Sequence, residues 1–514
     1  MTTEAVLNSL LSAQGRTVRS GQAAAASHID SGAKHVAAMC PTGVGKSALA
    51  VAVSVARKGG IIAANSNGLV AQYVAEIPEW EAALDIKVAA LVGRAHYWCP
   101  VASPKLEGFT AEQIEFVNSH GTFIGSGVDM AVYVNHSVNK LSPVADEDEP
   151  EVKRSPCTKC EYRLNKTCPL WNARAAAAAA DVVVTNATVL GMALKGSTDW
   201  ATAIQRNVVV LDEADSCREP ISNVFGAEIT VRDAIGRRDA YESVLNDSFS
   251  DDESKRTLAA RRFVAAKKQA QAEGREITCK VEDSKVILTV PADLVKVFAD
   301  VSVVAMSATL SQRNVDDLGL SAKVAGFQGL DVSASTVTVL ADAPDWIWGK
   351  DGPPADWSAY VANELTVAFR NGGRTLGLFQ SNADMAAVTA LLPADVRKAV
   401  LVYSSKTDRT SVVKTYTAAP ESHLLLGLVQ GAGRGLNLPG DLLRTVVVSR
   451  VPQRAPKDAD RAVWLEDSRA SITQSVGRAH RNAEDWGNVR IVGEFGTRKD
   501  VAEALVALGW KIGA

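Results

Sequence analysis

Cys40-Pro41-Thr42-Gly43-Val44-Gly45-Lys46-Ser47 is the stretch most plainly built for chemistry. The apolar run Val36-Ala37-Ala38-Met39 before it reads as a buried strand, and Ala48 to Arg57 after it reads as a helix. Strand, glycine turn and helix start are the context of a phosphate-binding loop. A triphosphate carries clustered negative charge, and free backbone N–H groups at a helix N-terminus meet it, helped by the helix dipole. Gly43 and Gly45 permit the tight turn and close backbone approach, with Thr42 and Val44 completing the loop. Lys46 can reach the β- and γ-phosphates, and the Ser47 hydroxyl can hold Mg2+. Cys40 stands where such loops commonly carry glycine, so only smallness is kept there.

An acidic group follows another apolar run, Val208-Val209-Val210-Leu211. Asp212-Glu213-Ala214-Asp215 then falls at the carboxyl edge of a parallel sheet, where open α/β sheets bind ligands. Asp212 can hold Mg2+ directly or through water, and Glu213 can orient or deprotonate an attacking water. Late in the chain, Gln474-Ser475-Val476-Gly477-Arg478-Ala479-His480-Arg481 reads as a helix. Arg478 and Arg481 are spaced i, i+3 and so share a face. Planar guanidinium groups match phosphoryl oxygens bidentately. Reaching a γ-phosphate across a cleft, such arginines are typically worth about 10³–10⁵ in rate. Upstream of the phosphate loop, Gln22 has the donor and acceptor to read an adenine edge, and Arg16 and Arg19 stand near it.

Four of the seven cysteines form a further set: Cys157 and Cys160, Cys168 after seven intervening residues, and Cys99, 57 intervening residues before Cys157. Soft thiolates select zinc or iron–sulfur, and this spacing leaves both open. Cys40, Cys217 and Cys279 read as buried or incidental thiols.

These groups need elements to position them. Ile61 to Asn65, Val88 to Val92, Val182 to Asn186 and Val301 to Ala305 read as buried strands, with a helix starting near Gly68. The β-α-β rhythm argues a parallel sheet with right-handed crossovers. Residues 1–35 read as a leader. The rhythm breaks near Gly93 and resumes with an alanine-rich helix, so the cysteine segment reads as an insertion; its acidic run, Asp146 to Glu151, reads as a solvated loop. A second insertion follows residue 217, with a charged helix expected over Ser254 to Glu273 and a strand over Lys285 to Val290. A second sheet domain begins beyond about 335, its strands expected at 374–381, 424–428, 446–448 and 489–492.

Composition sets limits. With 514 residues, 47% hydrophobic and 22% charged, the chain can bury large cores. A net charge of −3 excludes a uniformly basic surface, so nucleic acid must be met by a local groove. No run reaches the roughly 18–20 apolar residues of a membrane span, and no signal peptide is visible. The expectation is a cytoplasmic protein with reduced thiols and no membrane partner.

Taken together, these stretches resemble superfamily 2 helicases, and within them the iron–sulfur branch of DinG-type and XPD-type DNA helicases. The matching segments are Arg19-Ser20-Gly21-Gln22, the Pro41–Ser47 loop, Cys99 with Cys157, Cys160 and Cys168, Asp212 to Asp215, Ser307-Ala308-Thr309-Leu310, Gly435 to Asp441 and Gln474 to Arg481. The three clustered cysteines before Pro169-Leu170-Trp171 look more DinG-like. The resemblance implies an α/β fold: two RecA-like parallel-sheet motor domains with an inserted iron–sulfur domain and a small inserted arch domain. The division expected is 1–95, 175–216 and 296–335 for the first motor domain, 96–174 for the cluster domain, 217–295 for the arch and 336–514 for the second motor domain.

It also implies a monomeric ATP-dependent 5′→3′ helicase on single-stranded and forked DNA. Its cofactors would be ATP, Mg2+ and a [4Fe–4S] cluster, with zinc the lesser candidate for the thiols. Lys46, Asp212, Glu213, Arg478 and Arg481 would be catalytic. Arg19, Gln22, Thr42 to Ser47 and Gln474 would bind nucleotide, and Ser307 and Thr309 would link the cleft to the strand path. Three positions depart from the family pattern: Asp215 and Ala187 stand where histidine is usual, and Asn437 where aspartate is frequent. Two other readings are a translocase that remodels complexes without unwinding, as in phage, plasmid or CRISPR-type assemblies, and a DNA-binding adaptor with a decayed motor. Retention of Lys46, Glu213 and Arg478 argues against the second.

Overall fold

The architecture follows from short, fully apolar runs. Residues such as Val208 to Leu211 offer no polar face, so the strand they form is buried on both sides, as strands of parallel sheets are. The computed structural model describes residues 1–41, 43–102, 105–124, 126, 160–196, 206–232, 268, 270–272, 274, 278–282, 285–290, 292–329, 331–346, 353–404, 409–429, 432, 436, 438, 442–451, 470–473, 475–477, 486–493 and 495–513.

The first lobe opens with helices α1 (Thr3–Ala13) and α2 (Ser20–Ile29), then strand β1 (His35–Met39) and helix α3 (Lys46–Ala56). It continues through β2 (Gly60–Ala64), α4 (Asn67–Leu84), β3 (Val88–Leu91), β4 (Val182–Asn186) and β5 (Val208–Asp212). Three strands then form a separate antiparallel sheet in the order β6-β8-β7: β6 (Ala227–Arg232), β7 (Thr278–Glu282) and β8 (Lys285–Val290). The chain returns with β9 (Val303–Ser307) and β10 (Val324–Gly326). The first sheet runs β10-β1-β9-β5-β2-β4-β3, every pair parallel. Met39 pairs with Ser307 and Asp212 with Met306, so the residues after β1, β5 and β9 meet at one carboxyl edge.

The second lobe repeats the plan. β11 (Thr336–Val339), β12 (Thr375–Phe379), β13 (Val400–Tyr403), β14 (Leu424–Leu428), β15 (Thr445–Val448), β16 (Asn488–Ile491) and β17 (Lys511–Ile512) form a parallel sheet ordered β13-β14-β12-β15-β16-β11-β17. The helix Ala355–Arg370 lays Trp357, Val361 and Leu365 on it at helical spacing, and Trp357 Nε1 donates to the Ser449 carbonyl at 3.1 Å. Two apolar clusters, one holding Leu376 and Leu425 and the other Phe379 and Leu426, make up its core. Among the described residues no helix is long and apolar enough to cross a membrane.

Three sequence expectations change. Residues 1–35 are not a leader. Val6, Leu7, Leu10 and Leu11 of α1 are buried in the first lobe's core, and Thr3 bonds Asp30 through both its N–H and its hydroxyl, at 2.8 and 2.6 Å. The strand expected over Val301 to Ala305 starts two residues later, because Val301 N–H closes a turn on the Phe298 carbonyl and Val303 N–H is the first to reach across, to Lys34. Strands β6, β7, β10, β11, β13 and β17 are additional to the expected ones; β10 and β17 are short edge strands with little burial, so they leave a weak apolar signature. The helix expected over Ser254 to Glu273 lies mostly outside the described residues.

Candidate active site

The loop after β1 is built by glycine. Gly43 and Gly45 sit at φ +80° and +91°, in the left-handed region that a side chain disfavours. A Cβ on Gly45 would lie 2.4 Å from Gln22 Nε2, so Gln22 packs directly against the loop. Gln22 is 3% exposed, and its Oε1 accepts from Arg19 N–H at 3.0 Å. The Arg19 guanidinium donates to the Gly43 carbonyl. Arg19 and Gln22 thus fasten α2 to the loop, and Val44 is buried beneath it. Cys40 is fully buried, its N–H donates to the Ser307 carbonyl at 2.9 Å, and burial lifts its thiol to about 11.

Lys46 begins α3, and its ammonium lies 3.5 Å from Glu213 Oε1 and 3.5 Å from the Cys40 carbonyl. Glu213 itself adopts φ +54°, ψ +51°, a conformation that strains a non-glycine residue by roughly 1–3 kcal/mol. Its neighbour Asp212 is 4% exposed. Asp212 Oδ1 accepts from Glu213 N–H at 3.1 Å, and Oδ2 accepts from the Tyr73 hydroxyl at 2.7 Å. Burial first, then the Glu213 charge, lift the Asp212 carboxyl to about 6, against the opposing pull of Lys46. A buried carboxylate held above its usual range gains from a divalent cation. Ser47, on the neighbouring element, adds a second hard oxygen, so the donors fit Mg2+.

Asp215 makes the next link. Thr309 Oγ1 donates to Asp215 Oδ2 at 2.8 Å, while Ser307 Oγ lies 2.9 Å from Asp215 Oδ1 and 3.1 Å from Glu213 Oε2. The Ser307 proton can serve either carboxylate, and Thr309 N–H in turn donates to Ser307 Oγ at 3.3 Å. Where the family pattern has histidine, a carboxylate here accepts from both hydroxyls of the Ser-Ala-Thr turn. Ala187 leaves Asn186 as the cap of the following helix, and Asn186 Nδ2 donates to Asn67 Oδ1 at 2.7 Å. Asn67 Nδ2 contacts His96 Nε2 at 2.8 Å, so the sheet edge ties to the segment leading into Cys99.

Lys46, Ser47, Asp212 and Glu213 are therefore gathered at one edge, with Arg19 and Gln22 behind the loop. Thr42, Asn437, Gln474, Arg478, Arg481 and Cys157 lie outside the described residues. Cys99 and Cys168 are buried and Cys160 is half-buried. Among the described residues no group of three or more His, Cys, Asp or Glu side chains is placed to hold a metal, so Cys99, Cys160 and Cys168 do not by themselves form a cluster site. Cys217 is buried under Asp212 and Glu213, whose carbonyls its thiol meets at 3.6 Å. Sequence reasoning missed Tyr73. An apolar helix position hides it, and the only signal was that a buried phenol needs a polar partner.

Residues 365–507 match the family model described as helicase C-terminal domain. That match lies within the second lobe. The whole fold is similar to a solved XPD helicase, with a TM-score of 0.60 at 14% identity over 97% of this chain and 99% of that one. A second XPD structure, described as apo, gives a TM-score of 0.53 at 13% identity over 99% of both chains. No curated protein matches the chain. At such identities the likeness establishes architecture: two parallel-sheet α/β lobes resembling RecA-like helicase motor domains.

Proposed function

We propose that the chain is an ATP-dependent DNA helicase that couples hydrolysis to 5′→3′ movement on single-stranded DNA and to duplex unwinding. The observation that carries the proposal is the gathering of Lys46, Ser47, Asp212 and Glu213 at one sheet edge, in a chain whose second lobe matches the helicase C-terminal domain. The loop N–H groups and Lys46 hold the β- and γ-phosphates, and Ser47 and Asp212 hold Mg2+, which when bound neutralises phosphoryl charge. Glu213 takes the proton of the attacking water; binding of phosphate by Lys46 frees the carboxylate it pairs with here. Arg478 and Arg481 act as fingers from the second lobe and Gln474 contacts the nucleotide, while Gln22, buried behind the loop, holds the loop's shape. The Asp215–Ser307–Thr309 bonds carry the state of the site toward the DNA path.

The choice of DNA, the polarity, the monomeric state and the arch role of the β6-β8-β7 sheet rest on the family resemblance. So does a [4Fe–4S] cluster on Cys99, Cys157, Cys160 and Cys168. A brown protein whose visible absorbance is lost in Cys168→Ser supports the cluster, while a colourless protein binding stoichiometric zinc replaces it. Strand displacement on 5′-tailed forks tests the function: ATP-dependent displacement supports a helicase. Hydrolysis with protein removal but no displacement leaves a translocase.

A further inference from the structure

Helix α4 contributes a buried side chain to the site. Tyr73 is 2% exposed, its ring packs edge-on against Trp80 with centroids 5.7 Å apart, and its hydroxyl donates to Asp212 Oδ2 at 2.7 Å. With Glu213 N–H on Oδ1, both oxygens of Asp212 are engaged, and the carboxylate cannot turn about its Cβ–Cγ bond without losing one of them. Asp212 ends β5, and Tyr73 reaches it from α4. The start of α4 is itself anchored, since Asn67 bonds Asn186 and His96.

We propose that Tyr73 is a positioning residue for the divalent cation, fixing the Asp212 carboxylate in the orientation that the cation requires. The inference rests on the nucleotide reading above. Outer partners of metal-holding groups are worth about 10–100-fold in metal affinity. Tyr73→Phe keeps the ring and its packing and removes only the hydroxyl.

The test titrates Mg2+ into the full chain at a fixed concentration of fluorescent ATP analogue and reads nucleotide binding, then repeats the titration reading hydrolysis. Tyr73→Phe is expected to raise the Mg2+ concentration at half-maximal binding about 10-fold or more, with turnover largely restored at saturating Mg2+. The matched control is Tyr97→Phe, which removes another buried hydroxyl of the same lobe, one that accepts from Val92 N–H at 3.1 Å; its Mg2+ curve is expected to stay at the wild-type position. A Tyr73→Phe curve superposed on wild type overturns the inference. So does a loss equal at every Mg2+ concentration, which marks a structural role only. Melting without metal or nucleotide separates a folding defect, and binding measured well below the melt keeps the comparison valid. If the wild type binds no Mg2+–nucleotide, the nucleotide reading itself fails and takes this inference with it. Wild-type binding with an unmoved Tyr73→Phe curve defeats the inference alone.

Discussion

Lys46 and Glu213 form an ion pair at 3.5 Å with side chains only 11% and 7% exposed. Under the proposed function, the cation assigned to phosphate and the carboxylate assigned to water are partners before any phosphate separates them. Glu213→Gln keeps the shape and a hydrogen-bonding group while removing the base. Turnover is expected to fall about 10²–10⁴-fold, with nucleotide affinity changed only a few-fold. Single-turnover hydrolysis and equilibrium binding on the same variant check this.

Asp212 titrates near 6 in the fold and near 3.9 in an unfolded chain. A carboxyl raised by folding contributes stability that is fully present below about 3.9 and is lost as pH rises through about 6. In metal-free protein Asp212 therefore opposes folding at pH 8, by an amount on the order of 1–2 kcal/mol. Asp212→Asn is expected to raise the metal-free melting temperature at pH 8 and to leave it nearly unchanged at pH 4.5, while abolishing Mg2+-dependent nucleotide binding. Melts at the two pH values check the sign.

Asp215 accepts from Thr309 and shares Ser307 with Glu213. If those bonds carry the coupling, Thr309→Ala uncouples without disarming. Basal hydrolysis is expected to stay within a few-fold of wild type, while stimulation by single-stranded DNA drops by a factor in the usual range of a coupling free energy, about 5–150. Steady-state rates with and without DNA decide it.

Arg450 and Asp384 make a buried pair in the second lobe, with Nη2 and Nε at 2.8 and 2.9 Å from one carboxylate oxygen and the guanidinium 3.7 Å above the Trp346 ring. Asp384 is fully buried, so Arg450→Ala strands its charge, and a loss of about 3–5 kcal/mol is expected. Arg450→Met with Asp384→Leu is expected to recover much of that loss. Denaturant unfolding of both variants measures it.

Much of the first lobe's sheet was legible because its strands are pure apolar runs, and Asp212, Glu213 and Lys46 were legible because they end or follow such runs. The edge strands β10 and β17 were not: Lys511 and Ile512 are exposed, and Val324 to Gly326 are at most half-buried, so periodicity is weak there. Tyr73 was hidden because its role depends on a contact with a residue 139 positions away. Asp215 looked like a departure from pattern. Only the fold shows that a carboxylate at that position can accept from both Ser307 and Thr309. The packing of α1 was missed because Val6-Leu7 and Leu10-Leu11 read as helix only once the i, i+4 spacing is matched to a core.

The central claim is that Lys46 serves a nucleic-acid-stimulated ATPase, and the most direct measurement compares ATP hydrolysis by wild type and Lys46→Ala with and without single-stranded DNA. The account predicts hydrolysis by wild type that rises with DNA, no hydrolysis by Lys46→Ala, and DNA binding by both. DNA-stimulated turnover that persists in Lys46→Ala, or a wild type that hydrolyses no ATP under any DNA condition, contradicts it.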